Sequence, residues 1–385
     1  MKKLIHKYNF HVKKNENLDF SSVHWLELFY DVIQSITISL ISIYLINHLN
    51  LQGFIFFVIL FSSLWFSWFD LSIYNSLYLS TDLYYRFLLI INIVSLMCIA
   101  GALGLIQQNH LELFMIGYGV NRLIICFLYL RVAIYETQKI LLPKITTIFY
   151  GLVGIIIIFI ALINNYYLEF SAIILNILIM IFMYSPFGFS KLKNFDLRLD
   201  HISKRFARLF LISAGAGFSY LIVGVNKIGL HKLPGSIIAG YILGAIAIFA
   251  LCTKYFDSAA DKTPKKERLF EWIISHFIIM FSLIIISISL NSEIRPRYFY
   301  YFNHAFAILG SFGILLFFLS LFFIKNSINI KPPFHVTNSS IAISLATITL
   351  IINIIHPSIY GNSLWILIII IQAIISLYLK IISNN

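Results

Sequence analysis

Glu27 and Asp31 stand four residues apart, with His24 just before them and Gln34 just after. On a helix, positions i, i+3, i+4 and i+7 share a face, so these side chains form one polar stripe. Two carboxylates flanked by an imidazole and an amide are groups that bind protons or cations. Their setting is apolar: from Val32 to Ile46 only Gln34 and hydroxyl residues interrupt the run. Ionisable groups inside such a span are costly, face the protein interior and mark functional positions by default. Counting along the helix from Trp25 puts Asp31 about 9 Å and Gln34 about 14 Å into the span. That is deep enough for shelter and shallow enough for access from one side. Glu27 has a simpler explanation too, because an acid in a first helical turn is favoured by the helix dipole.

Further polar residues lie within other apolar runs. Arg122 falls near the middle of the fourth run, and Arg131 at about the depth of Asp31. An isolated buried arginine demands a partner. One expectation is an Asp31–Arg131 pair pinning the first helix to the fourth. The other is a polar cavity in which Arg122 holds an anion or tunes the carboxylate. Asp70 and Asn75 lie inside the second run and are candidates to join that cavity, whereas Asp82 and Arg86 flank a loop and read as a surface ion pair. His201 and His276 have the chemistry of proton carriers, although a lone helical histidine is more often a packing residue. Gly215-Ala-Gly217, with Ser213 and Ser219, is a small-residue patch suited to close helix packing; a helix break for a substrate site is the minority reading.

The elements that must position these groups are transmembrane helices. The chain has 385 residues, of which 60% are hydrophobic, 16% aromatic and 11% charged, with a mean hydropathy of +0.89. Such a chain has too few polar residues to coat a soluble core. A net charge of +12 does not make it a nucleic-acid binder, because the basic residues sit in short tracts between apolar runs rather than on one face. Cys98, Cys126 and Cys252 all fall in apolar segments without metal-like spacing, so neither a disulfide framework nor a metal site is expected. No cofactor is implied. No cleaved signal peptide is expected, so the first long helix is retained.

A hydrocarbon core of about 30 Å needs roughly 20 apolar residues per helix, which gives twelve spans with soft edges. The first six are Trp25–Ile46, Phe54–Leu79, Arg86–Ile106, Leu113–Tyr135, Ile145–Ile163 and Leu168–Tyr184. The second six are Phe206–Val225, Pro234–Phe256, Leu269–Leu290, Phe302–Ile324, Val336–Ile354 and Leu364–Ile382. The fifth and sixth are separated only by the stretch from Asn164 to Glu169. With both termini cytoplasmic, most of the 28 Lys and Arg fall on the cytoplasmic side; only Lys227, Lys232, Arg295 and Arg297 fall outside, as the positive-inside rule requires.

Residues 191–205 read as a basic cytoplasmic linker that divides the chain. Before it come a cytoplasmic N-terminal segment, 1–24, and a first six-helix repeat, 25–190; after it comes a second repeat, 206–385. His24-x-x-Glu27-x-Phe29 is echoed by His201-x-x-Lys204-Arg205-Phe206, and Tyr74-Asn75-Ser76 by Tyr255-Phe256-Asp257, at nearly equal offsets. Because six is even, the halves would be parallel repeats about an axis along the membrane normal. The expected fold is therefore an all-α polytopic membrane protein of about twelve transmembrane helices.

These residues also carry a resemblance. Glu27-Leu-Phe-Tyr-Asp31, the run Trp68 to Asn75, Asp82-x-x-x-Arg86, Gly117-Tyr-x-x-x-Arg122, Tyr129-x-Arg131, His201-x-x-x-Arg205-Phe206, Tyr255-Phe-Asp257 and His276 appear in order. The pattern resembles the bacterial low-temperature-requirement A family, and the resemblance implies a polytopic inner-membrane protein without an assigned molecular activity. The chain departs from the family where Leu-Gly-Glu is usual, reading Ser213-Ala-Gly215-Ala216-Gly217, and it has Lys204 in place of Glu. A mechanism using acids in both halves is therefore not expected.

The candidate ion-binding, substrate-binding or gating residues are Glu27, Asp31, Gln34, Asp70, Asn75, Arg122, Arg131, His201, Arg205 and His276. No phosphate-loop, dinucleotide-binding, zinc-protease or Ser/His/Asp pattern occurs in a soluble loop, so no enzyme is expected. The functional expectation is a secondary transporter of a small solute or ion, embedded in the lipid bilayer of the bacterial inner membrane, with homo-oligomerisation open. An alternative is a channel: Phe29-x-Asp31 loosely resembles the Phe-Ser-Asp signature of two-repeat potassium channels, and Ile33, Ile36, Ser39 and Ile43 would line its pore. A non-transporting structural or sensory protein is the third reading.

Overall fold

Long runs of Ile, Leu and Phe leave the backbone of this chain one economical solution in lipid. A helix satisfies every N–H and C=O within the segment, which water cannot do there. The computed structural model describes residues 24–78, 82–106, 110–135, 141–189, 197–229, 231, 234–291, 300–328, 335–356 and 361–384. Most of the N-terminal segment, and the outer-loop residues Lys232, Arg295 and Arg297, lie outside the described residues.

Helices α1 to α6 span Trp25–Asn47, Leu51–Leu77, Leu83–Ile106, Glu112–Tyr135, Leu141–Ile163 and Tyr166–Tyr184. A single turn, α7 (Pro186–Phe189), follows, and then α8 (Leu199–Ile228) and α9 (Gly235–Ser258). The last four are α10 (Leu269–Asn291), α11 (Tyr300–Ser327), α12 (His335–Ile355) and α13 (Gly361–Asn384). Without α7 these are twelve long helices, one for each expected span. Ten have the length and apolarity to cross a membrane. In α8 the first turns carry Asp200, Lys204, Arg205 and Arg208, and α13 offers the shorter apolar stretch Leu364–Ser376.

Two boundaries have clear local causes. Asn164 adopts φ +53°, a left-handed conformation that asparagine tolerates better than most side chains. Asn165 then caps α6, its Oδ1 accepting from Leu168 N at 3.1 Å. Two asparagines thus suffice to reverse the chain between α5 and α6. The second boundary moves. Residues 199–205, read from sequence as the end of a linker, are the first two turns of α8. Arg198 anchors that start against the end of α2. Its N–H donates to Ser76 Oγ at 3.0 Å, Nε to the Ser76 carbonyl at 3.0 Å and Nη2 to the Asn75 carbonyl at 2.6 Å.

The described residues divide into two compact units. One comprises those up to Leu40 together with Ile59–Arg205; the other comprises Ile41–Val58 and the chain from Phe206 onward. In the first, α3, α4 and α5 pack in series. A Cβ on Gly119 would stand 3.1 Å from the Gly154 carbonyl, and one on Gly154 3.0 Å from the Gly119 carbonyl, so α4 and α5 touch backbone to backbone. In the second, α10 packs on α11, α11 on α12, and α9 on α13. Gly217 of α8 faces Ser287 of α10 with no room for a side chain, so this part of the Gly215-Ala-Gly217 patch is a packing contact. Large apolar side chains point outward along α5, among them Ile148, Leu152, Ile155, Phe159 and Leu162. A soluble protein would bury that stripe; a bilayer solvates it.

Candidate functional site

The first unit encloses a polar ladder built from two i, i+4 pairs. On α1, His24 caps the helix: its Nδ1 accepts from Leu26 N at 3.3 Å. Glu27 reaches back so that Oε2 accepts from His24 N at 3.2 Å, a capping-box arrangement. The same Oε2 lies 3.0 Å from His201 Nε2 on α8. One turn further along both helices, Arg205 donates Nη2 to Asp31 Oδ1. Arg205 Nη1 also stands 3.6 Å from Glu27 Oε1, so the guanidinium touches both carboxylates. Trp68 of α2 completes the rung. Its indole N–H donates to Asp31 Oδ1 at 2.6 Å, and its ring lies 5.2 Å from Arg205 Cζ.

All four ladder residues are buried: Asp31, His201 and Arg205 are 0% exposed, and Glu27 is 3%. Charges withdrawn from water this completely persist only when paired. Pairing here is incomplete. Among the described residues, Asp31 Oδ2, Glu27 Oε1, His201 Nδ1 and Arg205 Nε are buried without a hydrogen-bond partner. Two carboxylates face one guanidinium, so with both acids ionised the Glu27–Asp31–Arg205 group carries one net negative charge that a proton or a second cation balances. The half-buried Arg198 donates to main-chain carbonyls and is a second cation within electrostatic reach of Glu27. Gln34 lies further along the stripe and donates Nε2 to the Leu64 carbonyl at 2.7 Å, fastening α1 to α2.

A second cluster lies deeper in the same unit and is differently made. Asp70 of α2 accepts from Arg122 of α4 on one oxygen and from the Tyr184 hydroxyl of α6 on the other. Arg122 Nη2 donates to Ser67 Oγ and to Asn121 Oδ1, the latter at 2.8 Å. Its Cζ lies 4.8 Å from the Tyr118 ring centroid and 5.6 Å from that of Tyr150. Asn121 extends the net to Asn92 of α3 at 2.6 Å, and Tyr118 extends it to Asn176 of α6 at 2.6 Å. Five helices meet here, and both Asp70 oxygens are satisfied. Tyr30 of α1 is fully buried and within electrostatic reach of both Arg122 and Arg205.

Two sequence expectations are corrected by this geometry. Asp31 does not pair with Arg131; it pairs with Arg205, because α8 begins early enough to bring a guanidinium beside α1. Arg131 pairs instead with Asp82, at 2.8 and 2.9 Å, under the Tyr84 ring. Arg122 does not touch Asp31; Asp70 engages it. Asn75 Oδ1 accepts from Tyr85 OH at 3.1 Å. His276 belongs to the second unit, stacked on Phe206 at 4.3 Å and edge-on to Trp272, with Nδ1 2.8 Å from the Trp272 carbonyl. Of the ten candidates, the structure gathers Glu27, Asp31, His201 and Arg205 at one site. Trp68 and Tyr184 are the partners that charge-based reading passes over, since an indole or phenol in an apolar run reads as core.

Helices of this length, an outward apolar stripe and ion pairs sealed among spans define a polytopic α-helical membrane protein. The chain belongs to the bacterial low temperature requirement A protein (LtrA) family, whose profile matches residues 22–376, nearly the whole chain. Comparison with curated proteins found no match.

Proposed function

We propose that the protein is a secondary transporter of a small solute or ion, with the Glu27–Asp31–His201–Arg205 ladder as its coupling site. The observation that carries this reading is the incomplete pairing of a buried ion cluster: among the described residues, Asp31 and Glu27 each keep one oxygen without a hydrogen-bond partner. A purely structural ion pair in a bilayer gains by closing such vacancies in its hydrogen bonding. A coupling site needs them, because a proton or cation must enter and leave. The two carboxylate oxygens without partners set the sign of what is bound, and His201 on the outer rung is the natural proton carrier.

In this reading the protein lies in the bacterial inner membrane with both termini cytoplasmic, is built as two parallel six-helix repeats, and carries no catalytic step. The lysine and arginine distribution supports the orientation, and the near-equal spacing of the His24 and His201 motifs supports the duplication. The Asp70–Arg122 cluster has a different role. Both Asp70 oxygens are satisfied, and although Arg122 Nε, Asn92 Nδ2 and Asn176 Nδ2 find no partner among the described residues, the cluster's contacts across five helices favour a structural knot.

The test is flux in proteoliposomes across protons, common monovalent cations and small anions, comparing wild type with Asp31→Asn. Saturable flux that the variant lacks supports transport. Unchanged flux in Asp31→Asn defeats the coupling role, and persistent single-channel currents at a fixed gradient select the channel reading instead.

A further inference from the structure

The hydrogen bonds of the ladder decide which ion fits it and which atom takes that ion. Glu27 Oε2 accepts from His24 N at 3.2 Å, and Arg205 Nη1 stands 3.6 Å from Oε1. Asp31 Oδ1 accepts from the Trp68 indole at 2.6 Å and from Arg205. Both acids are therefore bonded as carboxylates, which only accept. His201 Nε2, 3.0 Å from Glu27 Oε2, must then be the donor. That contact fixes the tautomer of a neutral imidazole: Nε2 carries the hydrogen and Nδ1 keeps a lone pair. Among the described residues Nδ1 has no hydrogen-bond partner, and the side chain is wholly buried. A basic lone pair is thus left unused on the imidazole that adjoins Glu27.

A metal cation fits the same place poorly. Alkali ions exchange their hydration shell for a ring of oxygens, whereas the ladder's acids offer two oxygens without partners, Glu27 Oε1 and Asp31 Oδ2. Beside the first lies Arg205, where an added cation meets a like charge. Transition metals want several imidazole, thiolate or carboxylate ligands. No group of three His, Cys, Asp or Glu among the described residues is placed to hold one. A proton needs a single lone pair. The charges around the imidazole also let it come and go. His24 caps α1 beside Glu27, and Tyr85 of α3 lies within electrostatic reach of that carboxylate. Arg198, three residues before His201, is half-buried and within reach of Glu27, and Lys204, three residues after, is half-buried too. Glu27 favours an imidazolium and these cations oppose it, so a proton is held without being locked.

We propose that the ion taken up by the ladder is a proton rather than a metal cation, and that His201 Nδ1 is the atom that receives it. The step is a single transfer. The Nδ1 lone pair forms the new N–H bond, Nε2–H stays on Glu27, and the imidazolium gives up the same proton on release. The inference rests on the ladder being the coupling site, and it names what couples.

The test is nitrogen-15 NMR of the histidine rings in the full chain, reconstituted in phosphatidylcholine–phosphatidylglycerol vesicles, between about pH 5 and about pH 8. Asp200–His201 is the sole Asp-His pair in the sequence, so carbonyl-carbon-13 aspartate with nitrogen-15 histidine assigns the residue without a substitution. The alkaline end shows a protonated Nε2 and a bare Nδ1. Acidification converts Nδ1 to N–H in a one-proton step, with the same midpoint in sodium, potassium and N-methylglucamine buffers of equal ionic strength. Glu27→Gln weakens that proton binding about tenfold. An Nδ1–H tautomer at the alkaline end, no titration, a midpoint displaced by sodium or potassium, or binding unchanged in Glu27→Gln overturns the proposal. Flux is read separately. A titrating Nδ1 in a protein without flux removes the coupling role and leaves the proton seat, whereas sodium-driven flux with a silent His201 overturns the proton and keeps transport.

Discussion

Arg205 and Asp31 meet as a wholly buried ion pair, and Trp68 donates its indole N–H to the same carboxylate oxygen. That oxygen serves two donors while its twin has none. The asymmetry separates what the pair contributes to folding from what it offers to a ligand.

Asp31→Asn keeps an oxygen for Trp68 and Arg205 and removes the charge. Its cost in stability is about 1.5–3 kcal/mol, the worth of a hydrogen bond to a charged group. Asp31→Ala strands Arg205 and costs about 3–5 kcal/mol. Thermal unfolding in detergent orders the two variants; equal losses would mean that charge, not hydrogen bonding, stabilises the rung. Flux falls at least about tenfold in Asp31→Asn, and a drop of that size corresponds to only about 1.4 kcal/mol in the barrier.

Glu27 and His201 are coupled across α1 and α8 at 3.0 Å. A double-mutant cycle of Glu27→Gln and His201→Gln gives an interaction energy of about 0.5–3 kcal/mol. Additive single effects would show that the imidazole and carboxylate merely adjoin.

Arg122→Gln leaves Asp70 buried without its cation and lowers stability by about 3–5 kcal/mol. The measure is the monodisperse fraction after extraction, together with unfolding temperature. A well-folded Arg122→Gln protein that lacks flux would move this cluster from scaffold to transport machinery.

Gly154→Val drives a side chain into the Gly119 carbonyl and Leu123. Overpacking at that contact costs about 1–3 kcal/mol. Gly101→Val, where a Cβ meets nothing within 4 Å, is the paired control and unfolds within a degree or two of wild type.

Much of this arrangement was legible before any coordinates. Apolar runs located twelve helices because a bilayer permits little else, and the Glu27–Asp31 spacing marked the stripe that the ladder uses. Partner choice was not legible. Depth alone ranks Arg131 with Asp31, but depth is one coordinate, and Asp82 at the start of α3 claims Arg131 from the side. The start of α8 was hidden for a related reason: charged residues before Phe206 look like a linker until their partners on α1 make burial affordable.

The ladder has a further property that follows from its spacing. Both rungs repeat at i, i+4, and the two helices run in the same direction through them. Arg205 already spans from Asp31 to within 3.6 Å of Glu27. Sliding the first turns of α8 by one helical turn, about 5.4 Å, hands the guanidinium from one carboxylate to the other. The guanidinium stays paired, while Asp31 and the imidazole each lose a partner. Such a spacing is a vernier: it registers the axial position of one helix against another in discrete steps of one helical turn.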